Sequence, residues 1–250
     1  PDFLLKMETA LIMGAKAVQG KRTASNLDSS VAVLDAAAEA INHQIYCKGA
    51  YNLGISPRLM GSGMAFDIEL FRFLIERCEA IGGFDKELEL ELSSMQIPVH
   101  YVEDAVVYDE KVRSNAVFGQ QRKRWISAQF FYLGKYWKRA LSELVTGNNL
   151  EFVIKVSMLS FPPRLILPVL LAANTTLYFI LSGWDGFSIG FGLLLVLHLL
   201  SLWMALPKQY YSKKYLSAWL SLLPLILQVF KIMSNLKGSN KSFIHTPHGE

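Results

Sequence analysis

Two apolar segments in the last third of the chain constrain its fold most. Residues 165–181 and 187–206 each approach the about 20 residues that a helix needs to cross a bilayer, and a short turn containing Trp184 separates them. Basic residues flank the pair on both sides, which places both outer ends in the cytoplasm and the Trp184 turn outside. They are Lys155, Arg164, Lys208, Lys213 and Lys214. We therefore predict two transmembrane helices; the alternative is a buried hairpin of a large soluble protein.

A third apolar segment, residues 216–233, is shorter and is interrupted by Pro224 and Gln228. Because lysines stand at both of its ends, an interfacial helix on the cytoplasmic surface fits better than a third span. The membrane region then covers residues 151–235, and residues 236–250 form a cytoplasmic tail.

Residues 1–150 carry most of the charge and predict a cytoplasmic α/β domain. Strand-like stretches at 15–20, 64–66 and 100–108 alternate with helical patterns at 28–47, 84–92 and 114–137. The two cysteines show no metal or disulfide spacing. The net charge of +4 suits a protein beside anionic lipid more than a nucleic-acid binder, so we expect no nucleic-acid partner.

Two short patterns in this domain carry chemistry. Gln121, Arg124 and Trp125 form a Gln-x-x-Arg-Trp motif on a basic helix before the membrane segments. Asp85 follows a diglycine turn 36 residues earlier, and a glycine loop, Gly61-Ser62-Gly63, lies upstream of it. A carboxylate at a helix start is held ionised by the helix dipole and is ready to accept a proton.

In this order the patterns resemble the family 2 processive glycosyltransferases, such as cellulose, chitin, hyaluronan and poly-N-acetylglucosamine synthases. The resemblance covers nearly the whole chain and implies the C-terminal part of a GT-A (Rossmann-like) domain followed by transmembrane and interfacial helices. It also implies Mg²⁺ or Mn²⁺, held by an Asp-x-Asp motif that this sequence lacks. We expect that motif in a missing N-terminal donor-binding half, no metal ligands in this fragment, and no activity of the fragment alone.

The resemblance assigns roles to particular residues. Asp85 would be the general base, although Phe84 replaces the glutamate that usually precedes it. Arg124, helped by Arg122 and Lys123, would stabilise the leaving nucleoside diphosphate. Gln121 and Trp125 would contact the sugars. The alternatives are a plain helix cap at Asp85, a base at the acidic pair 103–104, and a juxtamembrane helix with snorkelling basic residues.

Further candidate residues fall into three groups. Gly61, Ser62 and Gly63 would let the backbone approach the acceptor, although a bare turn would look the same. Gln19 and Gly20 match a polar strand-end position in similar enzymes, and a plain turn would look the same. His245, Thr246 and His248 resemble a gating segment near the nucleotide, or else are solvated tail residues.

The sequence thus predicts a membrane-bound inverting glycosyltransferase that extends a polysaccharide from a nucleotide-sugar, with the bilayer and export subunits as further partners. One alternative is a non-processive enzyme that adds a single sugar to a lipid-linked acceptor. A second is a non-catalytic membrane scaffold whose acidic and basic residues are structural.

Overall fold

The computed structural model describes residues 2–79 and 82–235, which contain a small mixed sheet surrounded by helices. The strands are β1 (Ala17–Ala24), β2 (Met64–Phe66) and β3 (Val99–Asp109). The helices are α1 (Phe3–Ile12), α2 (Ser30–Asn42), α3 (Ala50–Asn52), α4 (Ile68–Ile75), α5 (Phe84–Ser94), α6 (Asn115–Thr146), α7 (Leu150–Met158), α8 (Leu167–Ser182), α9 (Gly186–Ala205), α10 (Leu216–Leu220) and α11 (Leu222–Ser234). Two short 3₁₀ turns, Lys208–Tyr211 and Lys213–Tyr215, join α9 to α10.

Strand β1 is the centre of the sheet, antiparallel to β2 and parallel to β3. Its pairing with β3 shifts register after Gly20, which lies opposite Val102, whereas Lys21 lies opposite Val106. A Cβ on Gly20 would lie 2.6 Å from the carbonyl oxygen of Ala105. The bulged strand can therefore approach β1 this closely only because residue 20 has no side chain.

Helix α2 begins where Ser29 accepts a hydrogen bond from the amide of Ala32. The sequence predicted one helix over 28–47, but the α-helix ends at Asn42 and continues as a π-helical segment, His43–Gly49. Helix α6 runs to Thr146, further than the predicted end at 137.

The long helix α6 is shared by two parts of the core. One side packs on α5 and α7 through a cluster that includes Leu90, Tyr132 and Phe152. The other side packs with α2, α10 and α11, and α11 buries Leu225 and Val229 there. The segment after the apolar hairpin therefore folds back onto the globular part of the chain.

The apolar hairpin leaves most of its side chains exposed, as lipid-facing helices do. Among the described residues, Gly186–Ala205 and Lys213–Ser234 are long and apolar enough to cross a bilayer, which gives weak support for membrane association. Helix α8 has 16 residues, about 24 Å at the rise of an α-helix, and does not meet that criterion. The segment that meets it instead, Lys213–Ser234, is the one for which the sequence predicted an interfacial helix. The helical axis is interrupted at Ser221, between α10 and α11, and α11 buries Leu225, Val229 and Ile232; the interfacial position of this segment stays a prediction.

Candidate active site

Asp85 is the second residue of α5 and is partly buried. Gly83, immediately before the helix, has φ +70°, a conformation that an L residue with a side chain rarely adopts. A Cβ on Gly61 would lie 3.6 Å from Asp85 Oδ2. In the glycine loop, residues 61–63, the backbone of Gly61 therefore faces the Asp85 carboxylate, and residue 61 places no side chain between them.

The Gln-x-x-Arg-Trp motif on α6 meets the same turn. A Cβ on Gly82 would lie 3.6 Å from Cγ and 3.7 Å from Cδ of Arg124, and one on Gly83 would lie 3.1 Å from Cβ of Ala128. Glycine at both positions thus allows the turn before Asp85 to lie directly on α6. Three segments that are distant in the sequence converge at Asp85: the glycine loop, the diglycine turn and the motif.

Gln19 lies beneath the glycine loop and is fully buried. Its Nε2 donates to the carbonyl oxygens of Gly20, Ser62 and Gly63 at 2.9 to 3.2 Å, and its Oε1 accepts from the amide of Met60 at 2.9 Å. Both polar atoms of the side chain are thus used inside the protein. The structure gives Gln19 a role in holding the loop.

Gly20 and Gly63 are required by close packing. The amide of Gly20 donates to the carbonyl of Gly63 at 2.7 Å. Gly63 has φ +64°, and a Cβ there would lie 2.8 Å from Cγ1 of Val107.

Ser62 between the glycines has a buried hydroxyl without a hydrogen-bond partner in the part of the chain that the structure describes. The Oε1 atom of Gln121 is also buried and accepts no hydrogen bond from the described residues.

Arg122 and Arg124 of the motif make different contacts. Arg122 forms an ion pair with Asp35 of α2, and its guanidinium stacks 4.6 Å from the ring of Trp125 and 4.7 Å from that of Phe118. Through the ion pair with Asp35, Arg122 connects α6 to α2; its help to the leaving group stays a prediction. Arg124 lies beside the turn that precedes Asp85.

The alternative acidic pair lies elsewhere. Glu103 forms an ion pair with Lys48 at 2.9 Å. Asp104 is exposed at the bulge of β3, and its carbonyl accepts from Lys6 of α1 at 2.9 Å.

Sequence reasoning missed the buried acids of α5. Glu87 is 1% exposed and accepts from Lys135 at 2.6 Å, from the amide of Glu79 at 3.1 Å and from the thiol of Cys78 at 3.1 Å. Burial raises the pKa of Glu87, but the hydrogen bond from Lys135 and those from Cys78 and Glu79 outweigh it, so the pKa lies below its usual range. These bonds fix the chain on both sides of the Asp85 turn to α6.

Glu89, one turn beyond Asp85, is also buried and pairs with Lys155 of α7 at 2.8 Å. The signal for both acids was the alternation of glutamate and leucine over residues 87–92, which is unusual for a helix. It could have indicated buried carboxylates with basic partners elsewhere in the chain.

A further buried charge cluster joins the carboxyl ends of the parallel strands to α2. Glu39 pairs with Arg22 of β1 and, at 2.9 Å, with Lys111, which also contacts Asp109 of β3 at 2.8 Å. Close by, the Nε2 atom of His43 accepts from the amide of Arg22 at 3.0 Å. Burial and then the positive charges of this region lower the pKa of His43 to about 4.

Within residues 2–79 and 82–235, no three side chains of His, Cys, Asp or Glu lie close enough together to hold a metal ion. The predicted gating residues His245, Thr246 and His248 lie outside the described residues.

Asp85, the glycine loop and the Gln-x-x-Arg-Trp motif lie within a region that matches a known family. A family model described as glycosyltransferase-like family 2 matches residues 1–128, slightly more than half of the chain, including Asp85 and the Gln-x-x-Arg-Trp motif. A comparison with curated proteins gave no match. The chain therefore belongs to the glycosyltransferase-like family 2.

Proposed function

We propose that this chain carries the acceptor side of a membrane-bound, inverting glycosyltransferase that extends a polysaccharide from a uridine-diphosphate sugar. Family membership supports sugar transfer in general. The observation that carries the finer proposal is the position of Asp85, whose Oδ2 lies 3.6 Å from the Cβ position of Gly61 at the junction of three segments. An acceptor hydroxyl held against the glycine loop would lie within reach of that carboxylate.

In the proposed reaction, Asp85 takes the proton of the acceptor hydroxyl while its oxygen attacks the anomeric carbon. The new glycosidic bond forms as the bond to the diphosphate breaks, and the electron pair leaves with the diphosphate. Arg124, on the α6 face that packs against Gly82, stabilises the negative charge that develops there. Trp125 and Gln121 contact the sugars, through the indole face and through the amide.

The predicted Mg²⁺ or Mn²⁺ would neutralise charge on the donor phosphates. The described residues supply no group of three ligands for such an ion, so no step is assigned to it through these side chains.

The membrane arrangement is also part of the proposal. Helices α8 and α9 cross the bilayer, α10 and α11 lie on its cytoplasmic surface, and the catalytic domain faces the cytoplasm. Lysines follow α9 at positions 208, 213 and 214, and α11 packs on α6 of the catalytic domain. Export of the polymer would need further spans, from another part of the protein or from partner subunits, since two spans form no channel by themselves.

Donor turnover tests the proposal. Membranes that contain the full-length protein are supplied in turn with each common uridine-diphosphate sugar, with and without divalent metal, and release of uridine diphosphate is measured. We expect release from one donor, dependent on metal, with the sugar recovered in a polymer. Recovery in a single-sugar lipid product would favour the non-processive alternative. No release from any donor would contradict the proposal and favour the scaffold.

A further inference from the structure

Lys155 is a buried lysine on α7, the last helix before the apolar hairpin; α7 ends at Met158 and α8 begins at Leu167. Its side chain is 5% exposed. Its ammonium donates to Glu89 at 2.8 Å and to the carbonyl oxygens of Ser56 at 3.0 Å and Pro57 at 3.5 Å. One side chain thus joins α7, α5 and the segment that leads into the glycine loop.

Glu89 completes this connection from α5. Its Oε2 atom accepts from the amide of Leu59 at 3.3 Å, while Oε1 faces Lys155. Burial raises the pKa of Glu89, but Lys155 and Arg58 outweigh it and hold the pKa below its usual range, so the group is a carboxylate at neutral pH. Residues 56–59 are therefore held by both members of one charged pair.

The pair lies on the same face of α5 as the proposed base. Asp85 and Glu89 are four residues apart, and side chains at that spacing are neighbours on a helix. The amide of the next residue, Met60, donates to Oε1 of Gln19 at 2.9 Å, and Gly61 follows Met60 beside Asp85. The distance from the glycine loop to Asp85 is thus set by bonds at both ends of residues 56–60.

We infer that Lys155 and Glu89 are positioning residues that hold the glycine loop against Asp85, so that the acceptor hydroxyl and the base are aligned. The inference rests on the proposed function. Neither residue touches the reacting atoms; each acts through residues 56–61. A buried ion pair is by itself weak evidence for a contribution to stability, since replacing one with apolar side chains is often neutral or stabilising.

This last point separates positioning from folding. Lys155→Met alone leaves the Glu89 carboxylate buried without its partner and destabilises the protein. The double variant Lys155→Met/Glu89→Leu removes both charges of the pair, so we expect its thermal midpoint to lie above that of Lys155→Met. The bonds to Ser56, Pro57 and Leu59 stay absent in the double variant, so the loop is no longer held.

Two quantities are measured in membranes that contain the full-length protein: the sugar transferred to the product and the free sugar released by donor hydrolysis. The transfer-to-hydrolysis ratio is the first divided by the second. We expect the double variant to hydrolyse the donor at close to the wild-type rate and to show a transfer-to-hydrolysis ratio at least tenfold lower. The control, Lys48→Met, removes an ion pair with Glu103 whose side chains are 40% and 42% exposed, and keeps the wild-type ratio. A ratio that recovers together with the thermal midpoint would overturn the inference.

Lys155→Arg provides a second test, which is needed if the double variant does not accumulate in membranes. This variant keeps the buried positive charge. A planar guanidinium does not reproduce the geometry of an ammonium that donates to Ser56, Pro57 and Glu89. We expect its ratio to fall at least threefold; a wild-type ratio would overturn the inference. Absence of nucleotide release from the wild-type protein would instead refute the proposed function itself.

Discussion

Arg122 of the Gln-x-x-Arg-Trp motif forms an ion pair with Asp35 of α2, and the side chain of Asp35 is only 7% exposed. The motif therefore contributes a structural bond as well as candidate binding residues. Replacing Arg122 with methionine leaves the Asp35 carboxylate buried without a charged partner. We expect Arg122→Met to lower the free energy of unfolding by about 3–5 kcal/mol, measured by thermal or chemical denaturation.

The neighbouring residue is the control for this prediction. Lys123→Met removes the same charge from the same helix turn without breaking an ion pair among the described residues, and we expect it to change stability by less than about 0.5 kcal/mol. Equal stability of the two variants would show that the pair with Asp35 does not hold α6 to α2.

Gly20 tests the packing beneath the glycine loop. A Cβ at this position would lie 2.6 Å from the carbonyl of Ala105, and this neighbour is backbone that cannot rotate away. We expect Gly20→Ala to lower the free energy of unfolding by about 1–3 kcal/mol, the usual cost of overpacking. Gly134→Ala on exposed α6 has open space around it and should stabilise by about 0.5–1 kcal/mol. A neutral Gly20→Ala would contradict the observed register shift.

His43 predicts a dependence of stability on pH. Its folded-state pKa, lowered to about 4 by burial and by the charges of Arg22 and Lys21, lies below the ordinary value of about 6.5. The unfolded chain therefore binds the proton first, and stability is complete above pH about 6.5 and falls as the pH drops towards 4, by up to about 1.4 kcal/mol per unit.

The variant His43→Gln tests this dependence, because glutamine does not bind a proton between pH 7 and pH 4. Unfolding of wild type and His43→Gln, measured from pH 7 to pH 4, should give a shallower slope for the variant between pH 6.5 and 4. Parallel slopes would show that His43 does not contribute this dependence.

Labelling of introduced cysteines tests the membrane arrangement. In a background without the two native cysteines, we expect Asn235→Cys to react with a membrane-impermeant maleimide from the same side as Lys214→Cys, because α11 packs on the catalytic domain. Trp184→Cys should react from the opposite side. Labelling of Asn235→Cys from the side of Trp184→Cys would mean that Lys213–Ser234 crosses the bilayer.

Local signals predicted much of the fold. Strand β2 occupies the predicted residues, Met64–Phe66. Asp67, directly after it, caps α4, since its carboxylate accepts from the amide of Leu70 at 3.1 Å, and aspartate is a favoured residue at this position. Asp85 stands at a helix start, as the diglycine turn indicated. Each of these depends on residues within a few positions of one another.

Contacts between distant residues could not be predicted in this way. Lys135 and Lys155, the partners of the buried acids of α5, stand 48 and 66 residues further along the chain. The π-helical segment His43–Gly49 continues an ordinary helical pattern, and its wider turn coincides with packing on β3 rather than with a breaker residue. The different contacts of Arg122 and Arg124 likewise depend on a distant residue, because Arg122 pairs with Asp35 where α2 meets α6.

The most direct test of the central claim is the initial rate of sugar transfer by Asp85→Asn, compared with Asp104→Asn, in membranes that contain the full-length protein. Both variants replace a carboxylate with its amide. We predict that Asp85→Asn lowers the rate by about 10²–10⁴-fold, the usual contribution of a general base, while Asp104→Asn retains it. Transfer that survives in Asp85→Asn and is lost in Asp104→Asn would contradict the account and place the base on β3.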